Sequence, residues 1–201
     1  MKFSIIIPAH NSAAYIHKAL DSIRQQSFKD YELIVVCDSC TDNTREIAEA
    51  YGARTELVEF HADGLTRNRG IEMATGDWVL FLDDDDWFLH EFVLELLAGK
   101  LDESFDILCF SFIFSGVKYA RPWGNRGHQW IAAWCKCYKR EAIGDSRFSD
   151  TTDGTADVQF FAQMFSKDLN IVGWDMPLYF YNYWREGSIS EKSGVDLRGR
   201  L

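Results

Sequence analysis

Between Phe3 and Leu82 the sequence switches repeatedly between two hydrophobic periods, and this alternation constrains the fold more than any other feature. Phe3-Ser-Ile-Ile-Ile7 is a short apolar run rich in β-branched residues, ended by Pro8, and reads as a buried strand. Ile16, Ala19, Leu20 and Ile23 then recur at helical spacing between Ser12, a fair N-cap, and Gln26. Leu33 to Val36 reads as a second buried strand. Asp42 can cap a following helix that carries Ile47, Ala48 and Tyr51, and Gly52 is placed to terminate it. Thr55 to Phe60 reads as a third strand, Thr66 to Ala74 as a short helix and Trp78 to Leu82 as a fourth strand. Strands separated by helices require parallel crossovers, with helices on both faces of one sheet. The first half is therefore expected to be an α/β nucleotide-type fold.

The second half is less regular. Glu91 to Leu97 reads as a helix, Ile107 to Phe114 as a strand and Lys118 to Gln129 as a polar loop. Trp134 to Tyr138 fits a strand; Val158, Phe161, Ala162 and Phe165 mark a helix; Leu178 to Trp184 fits a last strand. The stretch from Glu191 to Leu201 is polar and expected to fray. Neither a repeat nor a linker divides the chain. Its 201 residues, 47% apolar and 26% charged, suffice to bury a sizeable core and exclude a disordered or fibrous chain. The net charge of −10 argues against general affinity for nucleic acid or anionic lipid, so an anionic substrate must be met locally, by a metal ion or a few arginines. No secretory signal is visible, and the longest strongly apolar stretch, Ile107 to Phe114, is too short to span a bilayer. Five cysteines without disulfide-like spacing suggest a cytoplasmic protein with reduced thiols. Peripheral membrane association is left open.

In an open parallel sheet, ligands bind beyond the carboxyl ends of the strands. Those ends carry His10 and Asn11, Asp38, His61 and Asp63, and the run Asp83-Asp84-Asp85-Asp86. Four adjacent carboxylates repel one another unless a cation or solvent relieves them. Such runs are often only solvated loops, but this one is pinned between the strand Val79 to Leu82 and Trp87-Phe88. Oxygen ligands suit magnesium or manganese, which typically take one or two carboxylates and complete their shell with substrate phosphates.

Taken in order, several segments make the chain resemble a family 2 glycosyltransferase from Phe3 to about Ser190. They are Ser4-Ile-Ile-Ile-Pro-Ala-His-Asn11, Val36-Cys-Asp-Ser-Cys-Thr-Asp42, Arg67-Asn-Arg-Gly70 and Gly76-Asp-Trp-Val-Leu-Phe-Leu-Asp-Asp-Asp-Asp-Trp87. Asp157-Val-Gln-Phe-Phe161 and the stretch from Tyr181 through Arg185 to Ser190 add weaker matches. The resemblance implies a GT-A fold, a Rossmann-like, mostly parallel sheet flanked by helices, with a less regular acceptor-side half. It implies one domain over 1–201, with 1–100 binding a nucleotide sugar, 101–190 facing the acceptor and 191–201 a tail. The activity implied is inverting, metal-dependent transfer from a nucleoside-diphosphate sugar, a UDP-sugar above others, to a saccharide or lipid-linked acceptor. The cofactor implied is Mn2+ or Mg2+.

The resemblance also assigns residues. Pro8, His10, Asn11 and Asp38 would border the nucleobase, and Arg67 would help hold the base and ribose. Asp83 and Asp85 match the DxD motif, with Asp85 on the metal and Asp84 towards the ribose. Arg185 would approach the diphosphate, and Asp157 would be the catalytic base. The family's Asp-Asp-Gly-Ser turn stands here as Cys37-Asp38-Ser39-Cys40, and its Glu-Asp pair as Ala156-Asp157, so Asp150 and Asp153 compete for the role of base. Each residue also has a plainer reading: Asp157 as an N-cap, Arg67 and Arg185 as surface ion pairs, His10 as a turn residue. Cys37 and Cys40 read as small turn residues, with a zinc or redox pair the lesser alternative. The competing function is a non-catalytic nucleotide-sugar or glycan-binding protein on the same fold.

Overall fold

The four expected strands are β1 (Phe3–Ala9), β2 (Tyr31–Asp38), β3 (Arg54–Val58) and β4 (Trp78–Phe81), joined by α1 (His17–Arg24), α2 (Thr44–Ala50) and α3 (Asp63–Met73). The computed structural model describes residues 1–114, 117–120, 132–151 and 155–182. The strands pair in parallel in the order β3-β2-β1-β4. The chain thus runs outward from β1 to β3, then returns to the other side of β1. That reversal leaves a crevice beyond the carboxyl ends of β1 and β4, where open α/β sheets bind ligands.

The sheet continues without a break into the second half. Antiparallel to β4 runs β8 (Lys136–Lys139), followed by β6 (Ile107–Phe114), β9 (Ile171–Tyr181) and β5 (Trp87–Phe88), while β7 (Val117–Ala120) pairs with β6. Alternate residues feed two cores. Phe3, Ile5, Ile7, Leu33, Val35 and Leu80 pack on one face beneath α1, α2 and α4 (Val93–Lys100), whereas Ile6, Ile34, Val36, Val79 and Phe81 pack on the other beneath α3 and, after the single turn α5 (Arg140–Ile143), α6 (Ala156–Phe165). Burial on both faces explains why these strands read as continuous apolar runs.

Where boundaries differ from expectation, long-range contacts set them. β1 runs through Pro8 to Ala9 because its ladder with β4 stops at Ile6 and Phe81, so a missing N–H on that side costs nothing. β3 stops at Val58 and α3 starts at Asp63 because Asp38 captures the amides between them. The buried Gln26 side chain accepts the Leu94 amide (2.9 Å) and donates to Ser22 and His90 carbonyls, fixing the start of α4. β9 begins at Ile171 and not Leu178, and its register slips between Trp174 and Pro177, a bulge that accommodates the proline. β8 starts two residues later and ends one residue later than the expected strand, and Lys118 to Ala120 belong to β7 and not to a loop. The rest of that loop, the end of the last expected strand and the tail lie outside the described residues.

Candidate active site

The turn after β1 is held by the turn after β2. Asn11 adopts a left-handed backbone (φ 49°), which asparagine tolerates, and its Oδ1 accepts the amides of Thr41 (2.8 Å) and Asp42 (3.3 Å). The exposed His10 lies with Nδ1 2.6 Å from the Asp38 carbonyl. Pro8 is buried within β1, so only His10 and Asn11 of this turn face solvent. Asp38 itself is 6% exposed and saturated. Its Oδ1 accepts the amides of Phe60 (2.8 Å) and His61 (3.0 Å) and the Ser39 hydroxyl (2.9 Å), and its Oδ2 accepts the Ala62 amide and the Thr66 hydroxyl, both at 3.1 Å. Burial alone would raise this carboxyl, but the amides of His61, Phe60 and Ala62 and the Ser39 hydroxyl outweigh it and hold it below the ordinary aspartate range. Asp38 therefore shapes the entry to α3.

The four consecutive acids part company. Asp84 accepts the Ser12 hydroxyl, and Ser12 in turn donates its amide to Thr44 (2.7 Å). Asp86 is fully buried, accepting the Tyr179 hydroxyl (2.5 Å) and the Asn182 amide (2.7 Å), and burial beside Asp85 and Asp83 drives its carboxyl well up. Asp83 accepts Arg67 Nη2 at 2.6 Å and donates its amide to the Tyr179 hydroxyl (3.2 Å). Burial, offset by Arg67 and reinforced by Asp63, Asp85 and Asp157, pushes the Asp83 carboxyl up to about 7. Asp85 is half-buried at the crest of the turn.

Behind the acids stands Arg67, 4% exposed, bridging Asp63 and Asp83 and lying 5.7 Å over the Phe148 ring. Its Nε is buried without a hydrogen-bond partner among the described residues. Asp157 faces the same guanidinium, which opposes the rise that burial imposes on its carboxyl while Asp63 adds to it. Its Oδ2 accepts the Ala133 amide at 3.2 Å, and Thr155, not Asp157, occupies the N-cap of α6. The N-cap reading of Asp157 is thereby corrected. Asp150 is exposed, while Asp153 and Arg185 lie outside the described residues.

This donor set suits a divalent cation that completes its shell from a substrate. The half-buried carboxylate of Asp85 at the crest, with that of Asp83 two residues before it, offers the oxygen ligands magnesium and manganese prefer. Among the described residues no three His, Cys, Asp or Glu side chains gather to hold a metal unaided.

A family model described as glycosyl transferase family 2 matches residues 4–171. The chain belongs to that family. GlyA, a glycosyltransferase of Streptococcus pneumoniae, is 27% identical over 220 residues, covering 94% of this chain and 31% of its own. The S. aureus TarS 1–349 structure in complex with UDP superposes with a TM-score of 0.78 at 26% identity, covering 90% of this chain and 60% of that one. A mannosyltransferase from Pyrobaculum calidifontis in complex with GDP-Man and Mn2+ shares the fold at TM-score 0.71 and 18% identity, covering 92% and 58%. The fold is GT-A. The chain thus spans less than two thirds of the length of these relatives.

Within this family 2 fold, the Arg67-Asn-Arg-Gly70 motif resolves into four separate tasks. Arg67 meets the acids, and Asn68 exchanges two hydrogen bonds with the Phe148 backbone, both 2.9 Å. Arg69 grips Glu56 through two nitrogens (2.8 and 2.7 Å), and a Cβ on Gly70 would lie 2.3 Å from Ile6. Asp86, to which the sequence assigned no role beyond membership of the acidic run, and Tyr179 and Lys136, to which it assigned none in the site, also build it. Asp86 and Tyr179 anchor the acidic turn to β9. Lys136 is 1% exposed, with Nζ 2.6 Å from the Ala132 carbonyl and 4.7 Å above the Phe161 ring, and its charge helps lower the Asp157 carboxyl. A lysine between two cysteines in an apolar strand was the available signal.

Proposed function

We propose that this chain is the catalytic unit of an inverting, metal-dependent glycosyltransferase that moves a sugar from a nucleoside-diphosphate sugar to an acceptor hydroxyl. The observation that carries the reading is the convergence, at the β1–β4 crevice, of an acidic turn with a buried Arg67 and a second, shielded carboxylate, Asp157. Single displacement at an anomeric carbon needs a charge clamp on the leaving diphosphate and a base on the acceptor side. Asp85, with Asp83 beside it, would hold Mn2+ or Mg2+, which when bound supplies the Lewis acidity that stabilises the leaving diphosphate. Asp157 takes the acceptor proton. His10 and Asn11 border the nucleobase, Asp38 sets the loop beneath it, and Asp84 orients the ribose. Arg67 acts by positioning Asp83, and Arg185 is assigned to the diphosphate on its family position alone.

A UDP-sugar is favoured because the TarS relative was crystallised with UDP. TarS is named a poly(ribitol-phosphate) β-N-acetylglucosaminyltransferase, which supports a place in surface polysaccharide or glycoconjugate synthesis, with a saccharide or lipid-linked acceptor. Five free cysteines fit work in the cytoplasm, and no described helix is long and apolar enough to cross a membrane. Calorimetry with UDP tests the donor site: affinity should be higher with Mn2+ than with a chelator, and Asp85→Ala should remove that difference. Equal affinity with and without metal would contradict the reading.

A further inference from the structure

Lys136 opens β8 between Cys135 and Cys137, and all three side chains are buried. An ammonium withdrawn from water is costly unless the fold supplies acceptors. Here the chain bends back to supply one: Nζ donates to the Ala132 carbonyl at 2.6 Å, across the turn that leads into β8. The Cys135 thiol reaches the same carbonyl at 3.7 Å, a weaker contact. The Ala133 N–H belongs to that same planar peptide and, the bond being trans, points away from the Ala132 carbonyl. It donates to Asp157 Oδ2 at 3.2 Å. One rigid peptide therefore carries the Lys136 ammonium on one edge and the Asp157 carboxylate on the other. Lys136 Nζ also stands 4.7 Å over the ring of Phe161, one turn beyond Asp157 on α6. It thus grips both the peptide that holds Asp157 and the helix that bears it.

We propose that Lys136 is a positioning residue for Asp157, acting through the Ala132–Ala133 peptide to aim the carboxylate and stabilise its charge. The coupling of Lys136 to Asp157 stands on these contacts, and its use in sugar transfer rests on the proposed role of Asp157 as base. An ammonium at the carbonyl edge draws charge along the peptide and makes the N–H at the other edge a stronger donor. A carboxylate that accepts such an N–H is favoured in its ionised form.

The electrostatic surroundings agree with the geometry. Burial raises the Asp157 carboxyl, Arg67 lowers it, Asp63 raises it, and the Ala133 amide and Lys136 lower it. Asp83 on the acidic turn, and Cys135 and Tyr138 on either side of Lys136, face the same carboxylate. Arg67 and Asp63 lie on α3, so α6 meets one cation from that helix and another from the start of β8. Arg67 is shared with Asp63 and Asp83, whereas Lys136 reaches Asp157 through a peptide that touches no other carboxylate among the printed bonds of the described residues. Loss of Lys136 removes one charge and frees the peptide that carries the Ala133 bond. Both changes act in the same direction, towards a carboxyl that holds its proton to higher pH.

The test is an NMR titration of the isotope-labelled full chain, with Asp157→Asn identifying the Asp157 carboxyl signal. In the parent protein the Ala133 amide proton should shift with the same midpoint as that carboxyl. An amide that does not follow Asp157 would overturn the coupling without recourse to any variant. Lys136→Met keeps an unbranched side chain of similar length and removes the charge and the donor. In that protein, with its thermal transition confirming the fold, Asp157 should titrate at higher pH and the Ala133 amide should exchange about tenfold faster or more. Lys136→Arg keeps the charge and should return the midpoint towards that of the parent. An unchanged midpoint in Lys136→Met would overturn the proposal. In transfer assays the acid limb of kcat should move with the carboxyl, so that Lys136→Met loses about tenfold on that limb and recovers to within about twofold on the alkaline plateau. An equal loss at every pH would overturn the positioning role and leave Lys136 a structural residue. A moved midpoint in a protein whose Asp157→Asn variant still transfers sugar would overturn the base reading and leave the coupling intact.

Discussion

Asp38→Asn separates a residue that builds the site from one that merely touches a ligand. The carboxylate accepts five hydrogen bonds, three at Oδ1 and two at Oδ2. An amide of the same shape must turn its NH2 group towards one set, and facing Oδ2's partners sacrifices fewer. Thr66 can fall back on the Ala62 carbonyl, 2.9 Å away, but the buried Ala62 amide is left facing a donor. One orphaned amide costs about 1–3 kcal/mol, and loss of charge weakens each surviving bond, so a total of about 2–4 kcal/mol is expected. Urea denaturation at pH 7 measures it. The sign with pH follows from the depressed carboxyl: the stabilisation is present above the ordinary aspartate value of 3.8 and is lost as pH falls through the lower folded value. The gap between the two proteins should stay constant from pH 8 to 5 and close only in stronger acid. An Asp38→Asn protein as stable as the parent at pH 7 would refute this reasoning.

A Cβ on Gly64 would stand 2.1 Å from the Ser149 carbonyl and 3.2 Å from Ala156, so Gly64→Ala should force α3 from α6, cost about 1–3 kcal/mol in thermal unfolding and impair transfer, whereas Gly99→Ala, with nothing within 4 Å, should not destabilise. Because burial raises the Asp157 carboxyl and only its ionised form accepts a proton, kcat should climb with pH along a limb above the ordinary 3.8; a limb at or below that value would show that Asp157 is not the shielded base.

Period and strand-end logic made the parallel half of the sheet and the place of the acidic run legible, since both depend on residues adjacent in sequence. The roles within the run were not. Asp83, Asp84, Asp85 and Asp86 look alike in sequence, and partners 16 to 96 residues away, Arg67, Ser12, Tyr179 and Asn182, separate them. Helix starts failed for the same reason. The acceptor for the amides ahead of α3 is Asp38, and that for α4 is Gln26, both beyond the reach of any local capping pattern. Asp157 resembled a cap because it lies one residue inside a helix whose N-cap side chain makes no capping bond.

Turnover is the direct test of the central claim. With a UDP-sugar, Mn2+ and an acceptor that the parent chain glycosylates, Asp157→Asn keeps the side chain's size but cannot take the proton. Transfer should fall about a hundredfold or more while UDP affinity stays within about twofold. Asp153→Asn, assayed in parallel, should retain activity. An active Asp157→Asn protein, or an Asp153→Asn protein that alone is dead, would contradict the assignment of the base.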